Sequence, residues 1–504
     1  MTVSATADYL TQTPKDQIRL EMLAYLTSLE LTARVAPQVA RATVQELEDQ
    51  RRHLKLIASE NFSSLATQQA MGNLLTDKYA EGFPGHRFYA GCENVDTIEA
   101  FACKQACELF GCDHAYVQPH SGADANLVAY WAILNTRVGV PALEKTGKTN
   151  PSELSREDWA SIRNKLNNQR LLGMDYYSGG HLTHGYRMNC SAQIFDAYSY
   201  GVSRATGLLD YDELETMALD IKPLILLAGY SAYPRHIDFR RLRGIADKCG
   251  AVLMVDMAHF AGLVAGGVFD GDHNPVAHAD VVTTTTHKTL RGPRGGMVLC
   301  RKEFAESVDK GCPLVIGGPL PHVIAAKAIA LTEALKPEFK AYARKVVENC
   351  QALAKACLER GMNVVTGGTD NHLMLIDVRS FGLTGRQAES AMRDAAITLN
   401  RNSLPFDPNG AWYTSGLRLG TAAMTTLGMG AGEMAEIADI LKIVLTHTKP
   451  AVIEKGANAG KPSKTNFVLD AAAKREAISR VEALLARFPL YPELDLTILK
   501  KSFG

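Results

Sequence analysis

Short, almost wholly apolar runs alternate with amphipathic stretches through the middle of the chain, and this alternation predicts a layered α/β fold. AYVQP (115–119), IFDAY (194–198), PLILLAG (223–229), AVLMVDM (251–257), VVTTTT (281–286) and GMVLC (296–300) read as strands. Runs that are apolar throughout suit a sheet covered on both faces. Between two of them, Asp238 is placed to cap a helix running to Cys249, with Gly250 just past its end. Strand, helix and strand in this order predict a largely parallel sheet flanked by helices. Ligands of such sheets lie outside the carboxyl ends of the strands.

The flanking regions have other patterns. Residues 1–45 read as a helical arm, and 46–335 as the large domain that holds the sheet. Within it, residues 135–172 are polar and charged and read as an insertion of helix and loop. From Pro319 to about Gly361 the pattern is helical, interrupted near Pro337. It leads into a smaller α+β domain over 336–504, whose strands include HLMLIDV (372–378). KGANAGKPSKTN (455–466) reads as an exposed loop.

Composition narrows the partners. The chain has 504 residues, with 54 acidic and 54 basic side chains. No basic stripe invites nucleic acid, which leaves small molecules or a second copy of the chain. The first residues lack the basic start and apolar run of a secretory signal, and no apolar stretch of about 18 residues suggests a membrane span. Ten cysteines are scattered without a CxxC pair. Cys103, Cys107 and Cys112 have the spacing of a helix and its end rather than of a zinc knuckle, so no metal site is expected. Reduced thiols and a cytoplasmic address are the expectation.

The chemistry concentrates in VVTTTTHKTLRGPRGG (281–296), where a β-branched strand ends in His287-Lys288 before a glycine-rich turn. Alone, such a lysine is most often an ordinary surface residue, and no GxxxxGK[ST] makes it a P-loop lysine. Its company changes the odds. Asp256 closes an apolar strand, where a carboxylate is costly unless a cation or strong donors meet it. HSGADAN (120–126) follows another strand and opens a helix, so Ser121, Gly122 and backbone N–H groups suit a dianion. His181, on a glycine-rich turn, is placed to stack on a ring. An anchor, an aspartate and a lysine on successive strand ends point to pyridoxal phosphate, held as an imine on Lys288.

Longer motifs sharpen this. IASEN (57–61), DKYAEGFPGHRFYAGCE (77–93), HSGADAN, GGHLTHG (179–185), VDMAHFAGLVA (255–265), TTTTHKTLRGPRGG (283–296), GGTDNHL (367–373) and TSGLRLGT (414–421) resemble serine hydroxymethyltransferase, in order, from Leu56 to Gly430. The resemblance implies a fold-type-I pyridoxal-phosphate transferase that interconverts serine plus tetrahydrofolate with glycine plus 5,10-methylenetetrahydrofolate. It implies a homodimer with shared active sites, or a pair of dimers.

By matching motif, Lys288 forms the imine, Asp256 pairs with the ring nitrogen, and His181 stacks on the ring. His259 and Ser231 sit near the phenolic oxygen, and Ser121, Gly122, Ala123 and His287 hold the phosphate. Tyr79 and Gly318 reach that phosphate from the neighbouring subunit. Arg418, assisted by Ser59, clamps the amino-acid carboxylate. Glu81, beside Tyr79 and Tyr89, is the acid–base group, while Thr285 and Arg294 orient the lysine. Leu182, Gly180, Tyr176 and Asn402 are the folate contacts. As side reactions, slow racemisation or transamination is expected.

Some positions depart from the pattern. Ala123 stands where the family often has a second phosphate-binding serine, and Phe88 replaces a tyrosine. Tyr176 stands where a leucine is common, and CPLVIGGP (312–319) differs from the usual FPGGQGGP. These departures bear on the folate side. They leave open a folate-independent aldolase or racemase acting on small amino acids. A binding protein on a retired scaffold is disfavoured by intact Lys288, Asp256, Glu81 and Arg418.

Overall fold

A computed structural model describes residues 4–504. Its centre is a seven-stranded sheet made of β1 (His114–Tyr116), β2 (Arg170–Met174), β3 (Asp196–Tyr200), β4 (Ile225–Gly229), β5 (Val252–Asp256), β6 (Val281–Thr285) and β7 (Gly296–Cys300). The spatial order is β1-β7-β6-β5-β4-β2-β3. Only β7 runs against its neighbours. The ten residues 286–295 that join β6 to β7 are too few for a crossover, so the chain must return antiparallel. Lys288 therefore sits in a tight reversal just beyond the carboxyl end of β6.

The strand alternation sorts side chains onto two faces. On one face Leu226, Leu253, Val255 and Val282 pack with α1 (Glu93–Phe110), α3 (Phe239–Cys249), α4 (Pro321–Ala334) and α5 (Pro337–Glu359). On the other, Leu171, Ile225, Leu227 and Met254 pack against α2 (Gly122–Leu134). Strands β4 to β7 are buried along their whole length, which is why they lack a polar face. The sheet class expected from the sequence is the one observed.

Helix α3 is bounded as its local signals require. The Asp238 carboxylate accepts the Arg241 N–H at 2.8 Å, and Gly250 ends the helix at φ 75°. The helical stretch after Pro319 is α4 and α5, divided before Pro337. A second sheet holds β8 (Asn363–Val364), β9 (Leu373–Asp377), β10 (Asn400–Asn402) and β11 (Gly416–Gly420), antiparallel in the order β8-β9-β11-β10. It shares a core with α5 and α6 (Ala431–Thr446). Near the amino terminus, helices Leu20–Val35 and Pro37–Arg52 pack with the final helix Leu496–Phe503 around Met22, Leu26, Val44 and Leu499.

Three local expectations are corrected. The segment 135–172 is not only helix and loop: it ends in β2, an inner strand of the main sheet. Its apolar run is short and carries Gly173, where a Cβ would stand 2.4 Å from the His184 carbonyl oxygen, so a weak strand signal follows from close packing. The strand read at 194–198 begins at Asp196, because Ser191–Ile194 closes a helical turn. The exposed stretch at 455–466 becomes a strand at Pro462, pairing Pro462–Leu469 with Thr448–Val452. All ten cysteines are free. No helix among the described residues is long and apolar enough to cross a membrane.

Candidate active site

Outside the carboxyl ends of β4, β5 and β6 lies a cavity of about 680 Å³. Every site residue expected from the sequence lines it except Tyr79, Glu81, Tyr89 and Gly318. Lys288 opens onto this space from its reversal. The Lys288 carbonyl is pinned by the Asn61 side-chain amide at 3.0 Å and the Arg291 N–H at 3.1 Å. Burial lowers the Lys288 pKa from 10.5 to about 8; Asp256 opposes the shift, while Arg418 and Arg294 add to it. About a tenth of the amine is thus free at pH 7, against well under a thousandth for an ordinary lysine.

Asp256 ends β5 and is buried. Burial is the largest single influence and would raise its pKa, but the hydrogen bonds from His184 and Asn126, with the field of the neighbouring imidazoles, together outweigh it and hold it well below the usual carboxylate range. Its Oδ2 accepts from Asn126 Nδ2 at 2.9 Å and His184 Nε2 at 3.3 Å, and Oδ1 accepts the Ala258 N–H at 3.0 Å. Because His184 Nδ1 accepts the His181 N–H at 3.4 Å, the His184 proton belongs on Nε2, facing the carboxylate. The carboxylate is held charged and aimed.

Asn126 organises more than Asp256. Its second amide hydrogen reaches Thr183 Oγ1 at 2.8 Å, and its carbonyl accepts from Thr283 Oγ1 at 2.5 Å. Thr183 Oγ1 lies 2.7 Å from His181 Nδ1, which also accepts the Thr183 N–H at 3.2 Å. The His181 ring is therefore oriented through Thr183 and Asn126 by the same scaffold that holds Asp256. Burial lowers the His181 pKa to about 4, so the ring is neutral. Burial, with Lys288 and Arg418, also holds buried His259 well below its ordinary value; its Nδ1 stands 3.3 Å from His372 Nε2. Thr285 Oγ1 donates to the Ala258 carbonyl at 3.1 Å, tying β6 to the turn after Asp256.

The corner expected from the sequence to hold an anion is the start of α2. Ser121 is its N-cap, accepting the Asp124 N–H at 3.2 Å and donating to the Asp124 carboxylate at 3.0 Å. A Cβ on Gly122 would stand 2.7 Å from Thr285 Cγ2, so only glycine lets this helix start approach the end of β6. Lining the same cavity, His287 has its Nδ1 buried with no hydrogen-bond partner. Burial lowers the His287 pKa to about 3, with Arg294 and Lys288 adding to the effect.

Arg418, on β11, reaches the cavity from the second sheet. Its Nη1 donates to the Ser231 carbonyl at 2.6 Å and its Nε to Asn400 Oδ1 at 3.0 Å. These bonds fix the guanidinium plane and leave Nη2 for an incoming acceptor. Ser59, Gly180, Leu182, Tyr176 and Asn402 complete the wall. Sequence reasoning did not single out Asn126, Thr183, His184, Asn61 or Asn400. The first four stood inside motifs already noted, but their partners lie far off in sequence: Thr283 is 157 residues from Asn126, and Lys288 is 227 from Asn61.

The four absent residues form a separate cluster. Tyr79 Oη donates to Glu81 Oε1 at 3.1 Å, Tyr79 and Tyr89 meet edge to face at 4.9 Å, and a Cβ on Gly318 would touch the Tyr79 ring at 3.3 Å. Tyr79 and Tyr89 are 55% and 48% exposed, so the cluster faces outward. It is braced from beneath. Arg87 donates to the Ala80 and Gly82 carbonyls at 2.8 and 2.9 Å and pairs with Asp96 and buried Glu99, both at 2.7 Å.

Comparison with known proteins bears on the chain as a whole. The family model described as serine hydroxymethyltransferase matches residues 32–148 and 159–441. The break, 149–158, falls inside the polar segment 135–172. The serine hydroxymethyltransferase of Treponema pallidum is 60% identical over 503 residues, covering 100% of this chain and 87% of its own. Those of Mycolicibacterium smegmatis and Salinispora tropica are 58% and 57% identical, each covering 94% of this chain and, respectively, 95% and 99% of their own.

Proposed function

The chain belongs to the serine hydroxymethyltransferase family, and from that premise we propose how its own residues carry the family's reaction. It is a pyridoxal-phosphate-dependent transferase that interconverts serine and glycine with tetrahydrofolate as the one-carbon acceptor. The observation that carries the residue-level reading is one cavity where the low-pKa amine of Lys288, the buried carboxylate of Asp256 and the oriented guanidinium of Arg418 converge.

The residues fit the cofactor. The unpartnered His287 Nδ1 and the α2 start at Ser121–Gly122 suit its phosphate, Asp256 its ring nitrogen, and Lys288 its aldehyde. Ala123 contributes only its backbone there. When bound, pyridoxal phosphate supplies an electron sink for bonds breaking at the amino-acid α-carbon.

Arg418 and Ser59 hold the substrate carboxylate, so the bond to be broken is set by orientation before any proton moves. His181, a neutral imidazole, would lie against the cofactor ring, and His259 and Ser231 would serve its phenolic oxygen. Thr285 and Arg294 keep Lys288 in reach. Glu81 moves the proton at the substrate hydroxyl, in a homodimer where Tyr79, Glu81, Tyr89 and Gly318 of one chain complete the cavity of the other. Leu182, Gly180, Tyr176 and Asn402 receive the pterin. Ten unpaired thiols suit the reducing cytoplasm.

The test is a titration of the loaded enzyme with glycine and tetrahydrofolate, followed by visible absorbance. A new intense band requiring both ligands supports the reading. Serine cleavage indifferent to tetrahydrofolate would overturn it in favour of an aldolase.

A further inference from the structure

Behind the anion-binding corner lies a lysine to which no step above gives a task. Lys327, on α4, is only 1% exposed, and no carboxylate bonds it. Its Nζ donates to three main-chain carbonyls, those of Val117 at 2.5 Å, Pro119 at 2.9 Å and Gly296 at 2.9 Å. Val117 and Pro119 lie in the segment that carries the chain from β1 to Ser121. Gly296 opens β7, and its N–H bonds the Pro119 carbonyl at 2.9 Å. The ammonium thus sits where the approach to Ser121 meets the return from the Lys288 reversal. A Cβ on Gly295, the last residue of that reversal, would stand 2.5 Å from Lys327 Cε and 3.0 Å from Nζ.

A buried ammonium is expensive to keep, and an apolar side chain would fill the same volume at less cost. Burial pushes the Lys327 pKa down to about 7, opposed chiefly by Glu99. Three carbonyl acceptors match the three protons of the charged form. Without it, three strand-end carbonyls would face a dry interior with fewer donors. Glu99 grips the same segment from its other side, accepting Gln118 Nε2 at 2.6 Å. The residues leading into Ser121 are held between two opposite buried charges.

We infer that Lys327 is a positioning residue for the phosphate site. It fixes the 117–119 segment so that the Ser121 hydroxyl and the first N–H groups of α2 converge on a dianion, and it places a positive charge behind them. It acts through the main chain and does not touch the cofactor. The inference rests on the proposed seat of the cofactor phosphate at Ser121–Gly122.

The experiment compares apoenzyme of the unmodified chain with Lys327→Met, Lys327→Gln and Gly295→Ala, the last crowding the ammonium without removing it. Each is titrated with pyridoxal phosphate and with pyridoxal, which keeps the aldehyde and ring but lacks the phosphate. Affinity is read from the visible absorbance gained on condensation with Lys288, and folding from thermal unfolding of the apo form. In Lys327→Met, the affinity for pyridoxal phosphate should fall about 30-fold while that for pyridoxal changes less than about threefold. Lys327→Gln should fall between, and Gly295→Ala should move the same ratio less. An unchanged ratio in the variants that fold, or equal loss of both ligands, overturns the inference. So does failure of all three to fold, which would make Lys327 a folding residue only. If the unmodified chain gains no absorbance with pyridoxal phosphate, the cofactor reading itself has failed.

Discussion

The cavity floor and the Tyr79 cluster belong to the same expected site, yet the fold treats them differently. Asp256, Arg418 and His181 reach one space within one chain, and each is held by buried partners such as Asn126, Asn400 and Thr183. Tyr79, Glu81 and Tyr89 hold one another and face outward. On the proposed reading a single chain binds and orients, while Glu81, the carboxylate proposed to move the proton, stands where another molecule would meet it. Binding and turnover should be separable by mutation, and turnover should be transferable between chains.

The largest break comes at the floor. Lys288→Ala should abolish the visible absorbance of bound cofactor and lower kcat for serine cleavage by at least about 10³-fold, measured in a coupled folate assay. Glu81→Gln should leave cofactor affinity within about twofold but lower kcat about 10²–10³-fold. Mixing these two inactive variants after reversible dissociation tests the division itself. Shared sites predict recovery to roughly a quarter of wild-type activity, because half of the random dimers carry one intact site of two. No recovery would place Glu81 in its own chain's site.

Smaller effects sharpen the floor alone. Arg418→Lys keeps the charge but loses the planar fork, so KM for serine should rise about 10–100-fold while the KM for tetrahydrofolate moves little. The mildest test uses pH. On the proposed reading the neutral amine of Lys288 is the nucleophile, and burial lowers its pKa to about 8. Stopped-flow capture of pyridoxal phosphate by apoenzyme should slow about tenfold per unit below that pH and level off above it. A rate still climbing beyond pH 9 would mean an ordinary lysine.

What could be read from the sequence follows from how local each signal is. Helix α3 was legible at both ends because Asp238 and Gly250 act within one turn of what they cap. Strand β2 was not, since Gly173 answers to the His184 carbonyl across the fold rather than to its neighbours in sequence. In the site, Lys288 and Asp256 announced themselves through charge in glycine-rich or apolar surroundings, whereas Arg418 came only with the longer motif TSGLRLGT. Asn126 and His184 gave no such sign, because an amide or an imidazole is unremarkable until its carboxylate partner is known. The Ser121 hydroxyl was read as an anchor and is found serving as an N-cap, with its one proton given to the Asp124 carboxylate, so a phosphate would have to draw that proton to itself.

The brace under Glu81 has a consequence for assembly. Arg87 spends four hydrogen bonds holding the backbone on both sides of Glu81 and two carboxylates of α1. That loop is shaped before any second molecule arrives, so contact there would not have to freeze a wandering segment. Association would then cost less ordering entropy and would be limited by encounter rather than by rearrangement.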